Sequence, residues 1–177
     1  EGEAVRDAVL QTAGELDDAQ FGASVPLARR PDGEVNIADG HNGRRRSIYL
    51  QLLRANPLTM LQLFDQPVME TNCTRRSQST VATQALTQLN SEFMWEAVET
   101  MATRVEQAAP ETQIPDVVLA ALGRSATDVE RHDLTQFATS QEQAYRAQGD
   151  TTEIARHRSL ADLCQILLSS NEFLYID

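Results

Sequence analysis

The chain has 177 residues, of which 41% are hydrophobic and 23% are charged, and its formal net charge is −11. A sequence pI near 4.7 argues against nucleic-acid binding, which needs a broad basic face, and no apolar run reaches the roughly 20 residues that cross a bilayer. The length fits one domain with a core of its own. Because the first residue is not Met, we expect residues 1–177 to be a single domain of a longer, multidomain chain.

The N-terminal part of the chain combines a helical pattern with a turn-rich segment. Apolar residues at spacings of three and four predict an amphipathic helix over residues 3–18. Residues 21–43 are rich in proline and glycine, which is typical of an irregular loop region. Within it, Val35 and Ile37 alternate with polar residues and predict a short strand. The alternation over residues 48–52 predicts the partner strand of a small hairpin, although residues 47–54 also fit a helix.

The remainder of the chain has helical periodicity. Asn56-Pro57 is a helix start, and this helix should end before Pro67. Thr127 and Glu130 have the spacing of a capping box. Further helices are predicted over residues 80–89, 91–105, 116–122, 127–148 and 152–169, with a loop over residues 108–115. The predicted fold is mainly α: a single-domain, bundle-like array of about six to seven helices with a small β-hairpin.

A basic stretch interrupts the acidic chain. Residues 44–90 hold six of the fifteen basic residues, all of which are arginine, and only two acids. Guanidinium groups beside hydroxyl groups and a helix start are typical of an anion site. The candidate ligand residues are Arg44, Arg45, Arg46, Arg75, Arg76, Ser77, Ser79 and Thr80. The alternative is that these arginines pair with acidic helices of the same chain.

The two cysteines, Cys73 and Cys164, allow one disulfide in an oxidising compartment or two buried thiols in the cytosol. There is no CxxC motif, CxxCH motif or Cys/His cluster, so we predict no metal site, no cofactor and no covalently attached haem. GxSxG and P-loop motifs are also missing. The sequence therefore favours a non-enzymatic role and names no catalytic residue.

Four segments together resemble one family. They are RRRSIYLQLLRANP…LFDQP at 44–67, NCTRRSQSTVATQALTQLNSEF at 72–93, ALGRSATDVE at 121–130 and LADLCQILLSSNEFLYID at 160–177. They are similar to the C-terminal domain of unknown function in large planctomycete surface proteins and planctomycete-type cytochrome c multidomain proteins.

The resemblance implies a setting more than an activity. It implies a secreted or cell-envelope location, in the periplasm or at the cell surface, and it raises the expectation of a Cys73–Cys164 disulfide. The implied partners are other domains of the same polypeptide, namely a helical domain of unknown function and a cytochrome c-type module. The family lends no catalytic residue to this sequence.

These observations predict a non-catalytic structural or binding module of a secreted or envelope protein. One alternative is a module that binds anionic ligands, such as a sulfated glycan or other polysaccharide, sulfate or phosphate, through the arginines. Another is part of an enzyme site that a neighbouring domain completes.

Overall fold

The computed structural model describes residues 1–67 and 82–175, with the backbone alone for residues 82 and 83. The chain divides into two compact units. The first contains residues 1–11 and 15–87, and the second contains residues 12–14 and 88–177.

The first unit contains short elements joined by long connections. Helix α1 ends where Gly14 takes a left-handed conformation, with φ +79°. The elements are α1 (Gly2–Ala13), β1 (Leu27–Arg29), β2 (Val35–Ile37), a 3-10 turn (Ser47–Tyr49), α2 (Thr59–Leu63) and α3 (Ala82–Asn90). The ends of α1 and α3 belong to the second unit.

The hairpin is antiparallel and two-stranded, but the prediction of its second strand over residues 48–52 is wrong. β2 pairs with β1, with Leu27 opposite Ile37. Gly33 makes this turn possible, because its φ of +95° is a conformation that glycine adopts readily. Residues 47–49 form a 3-10 turn instead, and Ile48 is 80% exposed, so the alternation there does not mark a buried sheet face.

The second unit is built around α7. Its elements are α4 (Glu92–Glu106), α5 (Pro110–Leu122), α6 (Asp128–Ala147), α7 (Thr152–Leu168) and α8 (Asn171–Leu174). α7 packs against α4, α5 and α6. Leu163, Cys164 and Leu168 on α7 are completely buried, as are Met101 and Ala102 on α4. By contrast, α6 has no fully buried side chain, so it lies at the edge of this core.

Some helix starts follow local sequence rules. The predicted start at Asn56-Pro57 is wrong, because α2 begins at Thr59, after Leu58, which makes no side-chain capping hydrogen bond. The predicted capping box is confirmed, since the Thr127 hydroxyl accepts a hydrogen bond from the Glu130 N–H and the Glu130 carboxylate accepts one from the Thr127 N–H. The predicted loop over residues 108–115 is wrong, because α5 begins at Pro110. Proline suits a first helical position, and Pro115 lies only five residues further on, where it removes a single backbone hydrogen bond.

The mainly α fold with a small hairpin is confirmed, and the described residues contain eight α-helices. Across the two described stretches of the chain, no helix has both the length and the apolar character that a bilayer crossing requires.

Candidate functional site

The predicted ligand residues fall into two groups. Arg44, Arg45 and Arg46, here called the arginine cluster, lie in the first unit immediately before the 3-10 turn. The others lie outside the described residues and their role stays a prediction: Arg75, Arg76, Ser77, Ser79 and Thr80.

The backbone of the arginine cluster is held by a buried arginine of α1. Arg6 is 2% exposed, and its guanidinium donates hydrogen bonds to the carbonyl oxygens of Gly43 and Arg45, the latter at 3.0 Å. It also donates to Ser47 Oγ at 3.1 Å. Burial lowers the pKa of Arg6 to about 10, so the group is still charged at neutral pH. A buried charge of this kind requires such partners.

Asp7, the next residue of α1, fixes the same segment from its other side. Its Oδ1 accepts hydrogen bonds from both the N–H and the Oγ of Ser47, each at 2.7 Å. Its Oδ2 lies 3.6 Å from Nε of Arg46. The arginine cluster is therefore fastened to α1 through one buried guanidinium and one carboxylate.

Arg45 organises the loop that follows α1. Its two terminal nitrogens donate to the carbonyl oxygens of Ala19, Phe21 and Ala23, at 3.1, 2.6 and 3.0 Å. The guanidinium also lies over the Tyr49 ring, 4.2 Å from its centre, a cation–π contact. Three carbonyls converging on one cation hold the loop in its turn, including Phe21 at a positive φ of 64°.

Arg44 makes an ion pair with Glu15, with 2.6 Å between Nη2 and Oε1. Both Arg44 and Arg46 have side chains more than half exposed, yet each has a carboxylate of the same unit as partner. The cluster therefore makes contacts inside the first unit, and ligand binding by it stays a prediction.

In the second unit, Arg124 connects two of the segments that carry the family resemblance. Its guanidinium binds Glu130 at 2.7 and 2.9 Å and Glu172 at 2.5 and 2.8 Å. Arg124 hydrogen bonds, and then the Thr127 N–H, lower the pKa of Glu130 to about 2. Arg124 also lowers the pKa of Glu172. This clamp joins the start of α6 to α8.

His157 joins α7 to α4. Its Nε2 lies 2.9 Å from Glu99 and its Nδ1 lies 3.0 Å from Glu106. Hydrogen bonds to Glu99, and then to Glu106, raise the pKa of His157, which favours the doubly protonated imidazolium. Within the described residues, no group of three or more His, Cys, Asp or Glu is arranged to hold a metal ion.

Cys164 lies at the centre of the second unit and bonds to no other described residue through a disulfide, and burial raises the pKa of its thiol to about 12. Such a thiol is a poor nucleophile at neutral pH. Cys73 lies outside the described residues, so the disulfide between these two cysteines stays a prediction.

The second unit also contains a cleft of about 330 Å³ between α5, α6 and α7. Its polar lining includes Arg131 and Arg156, the carboxylates of Glu111 and Glu142, and the amide of Gln113. Apolar atoms come from Ile114, Pro115, Ala138 and Leu160. The lining brings charged groups, hydrogen-bonding groups and apolar surface together at one place in the second unit.

The sequence did not point to Arg6, His157 or Arg156. Each acts on residues more than 35 positions away, so no local spacing reveals the contact. A weak signal existed for Arg6, because it falls among the buried apolar positions Val5 and Val9 of the same helix.

Comparison with known proteins gives a family and no more. The family model of PSD1, described as a protein of unknown function (DUF1553), matches residues 1–138. No curated protein and no solved structure matches the chain. The match covers more than half of the chain, so the chain belongs to the PSD1 (DUF1553) family of proteins of unknown function.

Proposed function

We propose that this chain is a non-catalytic structural and binding module of a larger secreted or envelope protein. The observation that carries the proposal is the use of its arginines. Arg6, Arg45 and Arg124 each bind several groups of their own unit, and the contacts reach loops and helices far apart in the sequence. Guanidinium groups placed in this way hold loops and helices together within each unit.

The rest of the proposal rests on the resemblance seen in the sequence. It assigns the module to the periplasm or cell surface and makes its partners the other domains of the same polypeptide, a helical domain and a cytochrome c-type module. In this setting the domain would position its neighbours.

The experiment uses the natural polypeptide in its own host. Cells producing it with and without residues 1–177 are fractionated, and the assembly of the remaining domains is followed by cross-linking and mass spectrometry. We expect the intact protein in the envelope fraction, with cross-links from this domain to its neighbours that disappear with the deletion. Turnover of a polysaccharide or an ester by the purified protein, lost with this deletion alone, would overturn the proposal.

The positive charge of residues 44–90 in a chain of net charge −11 favours a second candidate, a module for anionic ligands. Because Arg44, Arg45 and Arg46 already have partners inside the first unit, this candidate depends mainly on Arg75 and Arg76. It predicts salt-sensitive binding to heparin that is lost in Arg75→Ala plus Arg76→Ala with an unchanged circular dichroism spectrum. Equal retention of both proteins on a heparin column would dismiss it.

A further inference from the structure

Arg156 lines the cleft of the second unit without a carboxylate to balance its charge. Its Nη2 donates one hydrogen bond, to Gln113 Oε1 at 3.2 Å. None of the described residues offers Arg156 a carboxylate oxygen within 4.0 Å. The neighbouring arginine of the lining, Arg131, pairs with Asp128 instead. A partly buried guanidinium with no carboxylate partner in its own chain can pair with the carboxylate of a ligand.

Gln113 holds the guanidinium of Arg156 in a defined position. The Gln113 side chain is 5% exposed, and its Nε2 donates to the carbonyl oxygens of Glu106 and Ala108, at 3.4 and 3.2 Å. These two bonds fix which end of the amide faces the guanidinium. Four of the five N–H donors of Arg156 have no described partner and are available to a ligand.

Apart from Arg131, which already pairs with Asp128, the other polar groups of the cleft can act as acceptors. The hydroxyls of Thr135, Thr139 and Ser159 each donate to a carbonyl of their own helix, at 2.6, 2.8 and 2.8 Å. Their free lone pairs can accept from a ligand, as can the carboxylates of Glu111 and Glu142. The lining therefore combines one guanidinium that has no carboxylate partner, Arg156, with a second that has one, Arg131, and with several acceptors.

We propose that this cleft binds a small monocarboxylate that carries several hydroxyl donors, a sugar acid the size of one hexuronate. Its carboxylate would pair with Arg156 through two parallel hydrogen bonds, the arrangement for which a guanidinium is suited. Its hydroxyl groups would donate to the threonines and the glutamates. The C–H face of its ring would lie on Ile114 and Leu160.

The size and charge of the cleft favour this ligand over a simple anion. A volume of about 330 Å³ accommodates one sugar ring. Sulfate or phosphate would place two negative charges near Glu111 and Glu142 and would offer few or no donors to the acceptors of the lining.

The test is a titration of the whole chain with D-glucuronate, followed by the amide resonances of the protein. We expect shifts confined to α5, α6 and α7, with a dissociation constant on the order of 1 mM, as a ligand of this size allows. Arg156→Gln should weaken binding about ten- to hundredfold, because it removes a charge-assisted pair. Arg158→Gln removes the same charge from α7 where its partners, Asp150 and Tyr145, lie outside the lining of the cleft, and it should bind like the wild type.

A second variant, Ala138→Leu, fills the cleft without changing its charge and should also lose the ligand. D-Glucose, which lacks the carboxylate, should not bind. A uronate trisaccharide that binds more tightly than glucuronate would identify a polysaccharide end as the natural source, and weaker binding would identify the free acid. Wild-type protein that ignores glucuronate, Arg156→Gln that binds it equally, or sulfate that binds as tightly would each overturn the proposal.

Discussion

Replacing Arg6 with methionine is the sharpest test of how the first unit is built. Methionine keeps much of the length and apolar stem of arginine but cannot donate hydrogen bonds. The change leaves the carbonyl oxygens of Gly43 and Arg45, and the hydroxyl of Ser47, without their buried donor. Each unsatisfied buried acceptor costs about 1–3 kcal/mol.

Because both carbonyls are only partly buried, they suggest a loss near the lower end of this range, about 2 kcal/mol for the two together. Removing the desolvated guanidinium returns part of this, whereas leaving Asp7 with a weaker counter-charge adds to it. We expect the free energy of unfolding of the first unit to fall by about 2 kcal/mol.

The assay is hydrogen exchange with mass spectrometry at increasing urea, which reports the free energy of opening for peptides over residues 43–51. The matched control is Arg29→Met, which makes the same exchange of side chains at an exposed position of β1 and should change stability by less than about 0.5 kcal/mol. A loss below about 1 kcal/mol for Arg6→Met would refute the reasoning, because the contacts would then carry no net stability.

Three further predictions concern the second unit. Because Arg124 lowers the pKa of Glu130 from 4.5 to about 2, the stability from this clamp is complete above pH 4.5 and is lost as the pH falls towards 2. Glu130→Gln should flatten acid unfolding in that interval, and an unchanged profile would contradict the clamp. The pKa of His157 is raised above 6.5, so its contribution is complete below pH 6.5 and is lost as the pH rises through the folded value. In thermal unfolding, His157→Gln should lower the free energy of unfolding by about 0.5–1 kcal/mol at pH 6 and by little at pH 9. This figure is reduced for the partial exposure of the ring. Equal losses at both pH values would count against the ion pairs. Cys164 is buried and its pKa is raised to about 12, so in reduced Cys73→Ser protein it should react with iodoacetamide only in urea, and fast labelling without urea would disprove its burial.

Local patterns predicted most of the helices because their signals lie within a few residues. The Thr127–Glu130 capping box fixes the start of α6, and Ser91 caps α4 through the N–H of Met94. Where the prediction failed, a local signal competed with the structure. Pro115 indicated a loop, yet it lies inside α5, where the helix lacks one backbone hydrogen bond at this residue.

The hairpin shows a different reason why prediction from local sequence patterns fails. The period of alternation over residues 48–52 matched a strand, but Asp7 and Arg6 of α1 hold Ser47 in a 3-10 turn. Contacts between residues about 40 positions apart decided the local conformation, and no window of the sequence contains both sides. Tertiary contacts override local preference in this way wherever a polar network is buried.

The candidate site also depends on contacts that the sequence does not show. The density of arginine in the sequence indicated residues 44–46 as candidates. It did not show whether these residues face a ligand or the protein. The cleft with Arg156 could not be predicted, because its lining comes from three helices and its defining property is a missing partner. Sequence shows which charges exist, but it does not show which of them pair.

The central claim is that the arginine cluster holds the first unit together. Hydrogen exchange of residues 17–25 in Arg45→Gln tests it most directly, because Arg45 binds three carbonyls of that loop and the N–H of Val25 donates to Tyr49. The account predicts that the Val25 amide loses its protection in Arg45→Gln and keeps it in the control Arg29→Gln. Native exchange across this loop in Arg45→Gln would contradict the claim. It would favour the other interpretation, that the arginine cluster is a surface that binds an external ligand.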